Sequence, residues 1–97
     1  MPSYLVLGNL TDQGIRTIKQ GPERLQGIKQ AAQAAGGRVI FFYLTMGQHD
    51  FAALLELPND EAAARILLAA GAQGSARTTT LRAFTEEEYG KIIASLP

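Results

Sequence analysis

The stretch from Phe41 to Leu57 restricts this chain more than any other. Two apolar runs, Phe41–Leu44 and Phe51–Leu55, flank a short polar segment containing Gly47, Gln48, His49 and Asp50. Apolar runs of strand length on either side of a glycine-bearing turn predict a β-hairpin. Side chains alternate across a strand. Val39, Phe41, Tyr43 and Thr45 are therefore expected on one face of the first arm, with Ile40, Phe42 and Leu44 on the other. In the second arm Phe51, Ala53, Leu55 and Leu57 form a fully apolar face, while Ala52, Leu54 and Glu56 form a mixed one. The hairpin is thus apolar on both sides, and strands of that kind are covered on both sides.

The rest of the chain falls into place around it. Tyr4–Leu10 reads as a strand that is also apolar on both faces, and Thr11 or Asp12 caps a short helical turn. Gly21–Pro22–Glu23 opens a helix, because proline in the first turn loses no helical hydrogen bond and Glu23 complements the positive end of the dipole. Leu25, Ile28, Ala32 and Ala35 form its buried stripe, and Gly36–Gly37 ends it. A strand over 38–45 and the hairpin's second arm over 51–57 follow, stopped by Pro58. Asn59 and Asp60 cap a second helix over 61–72, with Ala63, Ile66, Leu67 and Ala70 facing inward. Residues 75–84 are rich in threonine and read as the fourth strand. Thr85–Glu88 has capping-box spacing, and Tyr89, Ile92, Ile93 and Leu96 mark the stripe of a terminal helix.

The order βαββαβ plus a C-terminal helix is that of the ferredoxin-like α+β fold, in one domain spanning 1–97. Right-handed crossovers put both long helices on one face of a four-stranded antiparallel sheet. Strands apolar on both sides would then expose a large apolar patch on the bare face. A second copy covering that face, in a dimeric α/β barrel with two-fold symmetry, resolves the conflict.

Composition narrows the partners. Nine basic and nine acidic residues leave no net charge, whereas nucleic-acid binding needs a clustered basic excess. The absence of cysteine rules out disulfides and thiolate chemistry. No apolar run has the length of a membrane span, and Met1–Tyr4 lacks the basic start of a secretory signal, so a cytoplasmic location is expected. No cofactor is implied. The only histidine, His49, has no partner at metal-binding spacing, so no metal site is expected.

Five residues stand out as candidate ligand contacts. His49 and Asp50 pair an imidazole with a carboxylate, the combination that orients a general base, although neighbours on a strand point apart. Arg77 can anchor an acidic ligand through its planar fork, or pair with Glu56 or Asp50, as can Arg82 on the other face. Tyr43, like Tyr4, can hydrogen-bond a ligand between sheet and helices, or pack with its hydroxyl at the edge. Asp12 either caps a turn or meets a ligand.

Several blocks together resemble a known family. They are Thr11–Arg16, Gly36–Gly37, Tyr43–Gly47, Asp50, Pro58–Ala63 and Arg77–Phe84, in that order along nearly the whole chain. They are similar to the GYD-domain family, small bacterial and archaeal proteins of unknown function. The signature Gly-x-Tyr-Asp stands here as Gly47-Gln48-His49-Asp50, so a role needing the phenol itself would be lost, while one needing a hydrogen-bonding ring would survive. The resemblance implies the same dimeric barrel. It also implies kinship to a wider group that includes cofactor-independent oxygenases and proteins binding haem or small metabolites. Two functions follow as expectations: a homo-oligomeric module that binds a small molecule or serves an assembly, or a cofactor-independent enzyme, oxygenase- or isomerase-like, with His49 or Asp50 as base.

Overall fold

The computed structural model describes all of residues 1–97. The elements are β1 (Ser3–Leu10), α1 (Asp12–Arg16), a 3-10 turn (Ile18–Gln20), α2 (Gly21–Ala34), β2 (Arg38–Leu44), β3 (Phe51–Glu56), α3 (Asp60–Ala72), β4 (Ala76–Ala83) and α4 (Glu86–Ala94). The strands form one antiparallel sheet in the order β2-β3-β1-β4. This is the ferredoxin-like α+β architecture expected from the element order.

Local chemistry explains the helix boundaries. Thr11, not Asp12, caps α1: its hydroxyl accepts from the Gly14 N–H at 3.1 Å. Asn59 caps α3 by accepting from the Ala62 N–H at 2.9 Å. At α4 both halves of the capping box form, Thr85 with the Glu88 N–H (3.1 Å) and the Glu88 carboxylate with the Thr85 N–H (2.8 Å). The Thr85 N–H that donates to the Glu88 carboxylate holds that carboxyl below its ordinary pKa, since the bond favours the ionised form. Gly36 closes the exit from α2 at φ +89°, a conformation glycine adopts without strain.

The core lies between the sheet and two helices. Tyr4, Val6, Ala53, Leu55 and Leu57 point from the sheet toward Ala32 of α2 and Ala62, Ala63 and Ile66 of α3. Alanine at the helix contacts lets the backbones approach the sheet closely. Gly8 belongs to the same face: any Cβ there would sit 1.9 Å from the Phe51 ring, which lies over it.

One expectation about the hairpin is corrected. Val39 and Phe41 do not share a face. A bulge falls between them, so Val39 pairs with Leu55 and Phe41 with Leu54. Val39 therefore packs into the core, while Phe41 and Tyr43 turn to the opposite side, with ring centroids 5.1 Å apart. An extra residue at a bulge reverses the alternation beyond it.

That opposite side of the sheet carries no element of the chain. It presents Leu5 and Leu7 of β1, Leu54 of β3, Phe41 and Tyr43 of β2 and Leu81 of β4, neighbours by register. Helix α4 projects from the domain, and none of its residues is buried. The chain measures 52 × 31 × 18 Å with a radius of gyration of 14.5 Å, against about 12.5 Å for a compact chain of this length. Its accessible surface is 6719 Å², where a compact 10.4 kDa protein exposes about 5,400 Å².

Candidate functional site

The loop between β2 and β3 is pinned to the end of β1. The Asp50 N–H donates to the Gly8 carbonyl at 2.8 Å, and the Asp50 carboxylate accepts from the Leu10 N–H, also at 2.8 Å. Thr45 closes the loop, its hydroxyl donating to the His49 carbonyl at 2.6 Å. Asn9 holds the loop from below, donating from Nδ2 to the Gln48 carbonyl at 2.8 Å. The same side chain meets His49, whose Nδ1 lies 3.0 Å from Asn9 Oδ1. With the proton on Nδ1 the imidazole donates to Asn9, and Nε2 has no protein partner.

His49 and Asp50 thus do not form a pair. Asp50 is committed to the backbone of β1, and His49 is oriented by Asn9. Arg77 stands opposite Asn9 on β4, exposed and without an ion pair. Tyr43 lies on the uncovered side of the sheet, 63% exposed. His49, through Asn9, and Arg77 therefore lie at one end of the open apolar face, and Tyr43 stands on its far edge strand, level with Leu7. Asp12 does not join them: it is exposed in the first turn of α1, where its charge complements the helix dipole. Sequence reasoning misses Asn9; its only signal is a polar side chain at the end of an apolar strand.

The expected arginine pairings are also corrected. Glu56 bonds Arg38 across the hairpin at 2.9 Å, so neither Glu56 nor Asp50 pairs with Arg77 or Arg82. Arg82 lies on the helix-side face, its guanidinium 4.5 Å from the Phe84 ring centroid and 5.8 Å from that of Tyr4. Tyr4 is itself buried, and its hydroxyl donates to Asp60 Oδ1 at 2.5 Å. Burial, and then the Asp60 carboxylate, push its pKa up to about 12. Tyr4, Asp60, Leu67, Leu68, Thr80 and Arg82 line a shallow trough of about 490 Å³ between α3 and β4. A second trough of about 620 Å³ runs between α2 and α3 over Gly27, Ala31 and Ala69. None of the five candidate residues lines either trough, and no three acidic or histidine side chains converge as metal ligands.

The family description "GYD domain" matches residues 4–93. The chain belongs to the GYD-domain family. Among its relatives is a Thermus thermophilus protein named glutamine synthetase and cystathionine beta-lyase binding protein. It is 36% identical over 84 residues, which cover 86% of this chain and 88% of that protein. The crystal structure of TTHA0845 from the same organism has a TM-score of 0.54 at 23% identity, covering 88% of this chain and 95% of that one. That likeness shows a shared fold. Against the GYD-domain signature, His49 takes the place of a tyrosine, and its ring is the one that Asn9 orients.

Proposed function

We propose that this GYD-domain protein is a binding and assembly module that works as a homodimer, with a second copy seated on the open face of the sheet. The carrying observation is that face itself. Leu5, Leu7, Leu54, Phe41 and Leu81 form one apolar surface that no part of the chain covers. Leaving such a surface in water forfeits about 25 cal/mol for every Å² that could be buried. The surplus of accessible surface over a compact monomer, roughly 1,300 Å² and shared between this face and the projecting α4, is on the scale of the ~800 Å² per partner of a standard interface.

The relative's name supports a role in binding other proteins, and we extend that role to this chain. Two-fold closure of the sheets leaves the outer helices α2 and α3 free to meet a partner protein. It also brings a second surface over His49, Tyr43 and Arg77, where a small ligand could be held between the copies. The enzymatic alternative has less support: in one chain His49 lies at an open turn, and Asp50 is engaged with the β1 backbone.

Leu54→Glu tests the reading. A charge at the centre of the interface has no partner and is repeated by symmetry. The dimer dissociation constant should therefore rise by at least about 1,000-fold in sedimentation equilibrium. An unchanged dimer would overturn the proposed interface. The binding role is tested by surface-immobilised protein exposed to glutamine synthetase and cystathionine beta-lyase from the same organism. Saturable binding to either supports it, and binding to neither removes the analogy with the relative.

A further inference from the structure

We infer that α4 is an exchanged arm, its apolar stripe buried on the second copy of this chain and not on its own. The inference rests on the two-copy reading of the open face.

Helix α4 has nine residues. Isolated helices below ~12–15 residues are marginal in water, because few hydrogen bonds offset a costly nucleus. Its capping box satisfies two N–H groups at its start and contributes about 0.5–2 kcal/mol, but gives the apolar stripe no partner. Most helical stability comes from packing an apolar face. The face exists: Tyr89, Ile92 and Ile93 are 62%, 43% and 47% exposed. They fall together at helical spacing, and α4 has no extended packing against another element of the chain.

The occupant follows from position and area. Only Phe84 and Thr85 separate α4 from β4, the edge strand whose Leu81 belongs to the open face. The arm therefore leaves the sheet at its edge strand, beyond Ala83, at the end opposite Arg77. The surplus surface of roughly 1,300 Å² includes this helix as well as the face, and a single interface that buries both accounts for it. Two-fold symmetry makes the exchange reciprocal: each copy gives one arm and receives one.

The test compares the full-length parent, Leu54→Glu and the double variant Ile92→Asp/Ile93→Asp by sedimentation equilibrium, with hydrogen exchange of the α4 amides on the parent above and below its dissociation constant. Buried charges on both arms should weaken the dimer of the double variant at least about 100-fold, while its circular dichroism and melting as a dilute monomer stay those of the parent. The α4 amides should be protected in the dimer and lose that protection on dilution. A double variant that dimerises within about threefold of the parent, while Leu54→Glu does not dimerise, overturns the arm and leaves the open-face dimer standing. Protection of α4 that persists in the dilute monomer also overturns it, since the helix would then pack on its own chain. A parent that is monomeric throughout removes the dimer reading, and the arm with it.

Discussion

Tyr4 and Leu5 are neighbours in β1, yet they meet opposite surroundings. Tyr4 is buried against α3, with its hydroxyl on Asp60. Leu5 lies half-exposed on the uncovered side, between Leu54 and Leu81. The contrast repeats on β3, Leu55 against Leu54, but fades on the edge strand β2, where Phe42, stacked on Phe51 on the helix side, is 38% exposed and Phe41 on the open side is half-buried. Both faces are apolar, but only one has its cover encoded in the same chain. A strand pattern states that a face is to be buried; it does not state by which molecule.

The largest effect should come from the covered side. Leu55 is among the largest fully buried side chains, and Leu55→Ala should cost about 2–5 kcal/mol of unfolding free energy through lost transfer and the cavity left behind. Urea unfolding of dilute protein reads it directly. Leu54→Glu, one residue away, should cost the dilute monomer only about 1 kcal/mol, since its half-buried side chain packs on Leu5 and Phe41 and on no helix. Equal losses for the two variants would break the distinction between the faces.

A smaller effect sharpens the covered side. The Tyr4 phenol has its pKa raised from 10.0 to about 12, by burial first and the Asp60 carboxylate second. The folded state therefore holds this proton more tightly than the unfolded chain. Its contribution is present in full below pH 10 and is lost as pH rises toward about 12. Tyr4→Phe should lower stability at neutral pH by about 1 kcal/mol, the net worth of one hydrogen bond. It should also flatten the alkaline decline relative to the parent. A parallel decline in both proteins would mean that Tyr4 ionises as an ordinary exposed phenol.

The element order, the face of β3 that enters the core and the helix caps are legible because each rests on local chemistry: alternation, proline and glycine punctuation, and Thr85 three residues before Glu88. The bulge in β2 is not. Residues 39–44 are all apolar, so no polar position marks where the alternation reverses. His49, Tyr43 and Arg77 stand out by residue type alone, and where each lies on the sheet follows from a register that residue type does not state. The bond from His49 to Asn9 spans 40 residues, a contact only the fold creates. Asp12 lies elsewhere, and Asp50 serves the backbone, because a carboxylate beside an unpaired N–H finds it before it finds a ligand. For α4, the spacing of Tyr89, Ile92 and Ile93 specifies a helix and its apolar stripe but not the surface that covers it.

The central claim is that a second copy covers the open face. Native mass spectrometry of the unmodified, gently purified protein at micromolar concentration tests it most directly. The account predicts a dimer, or a multiple of it, as the dominant species, and a reproducible added mass would identify a ligand held between the copies. A monomer at that concentration would contradict the account, because the apolar face would then be stable in water uncovered.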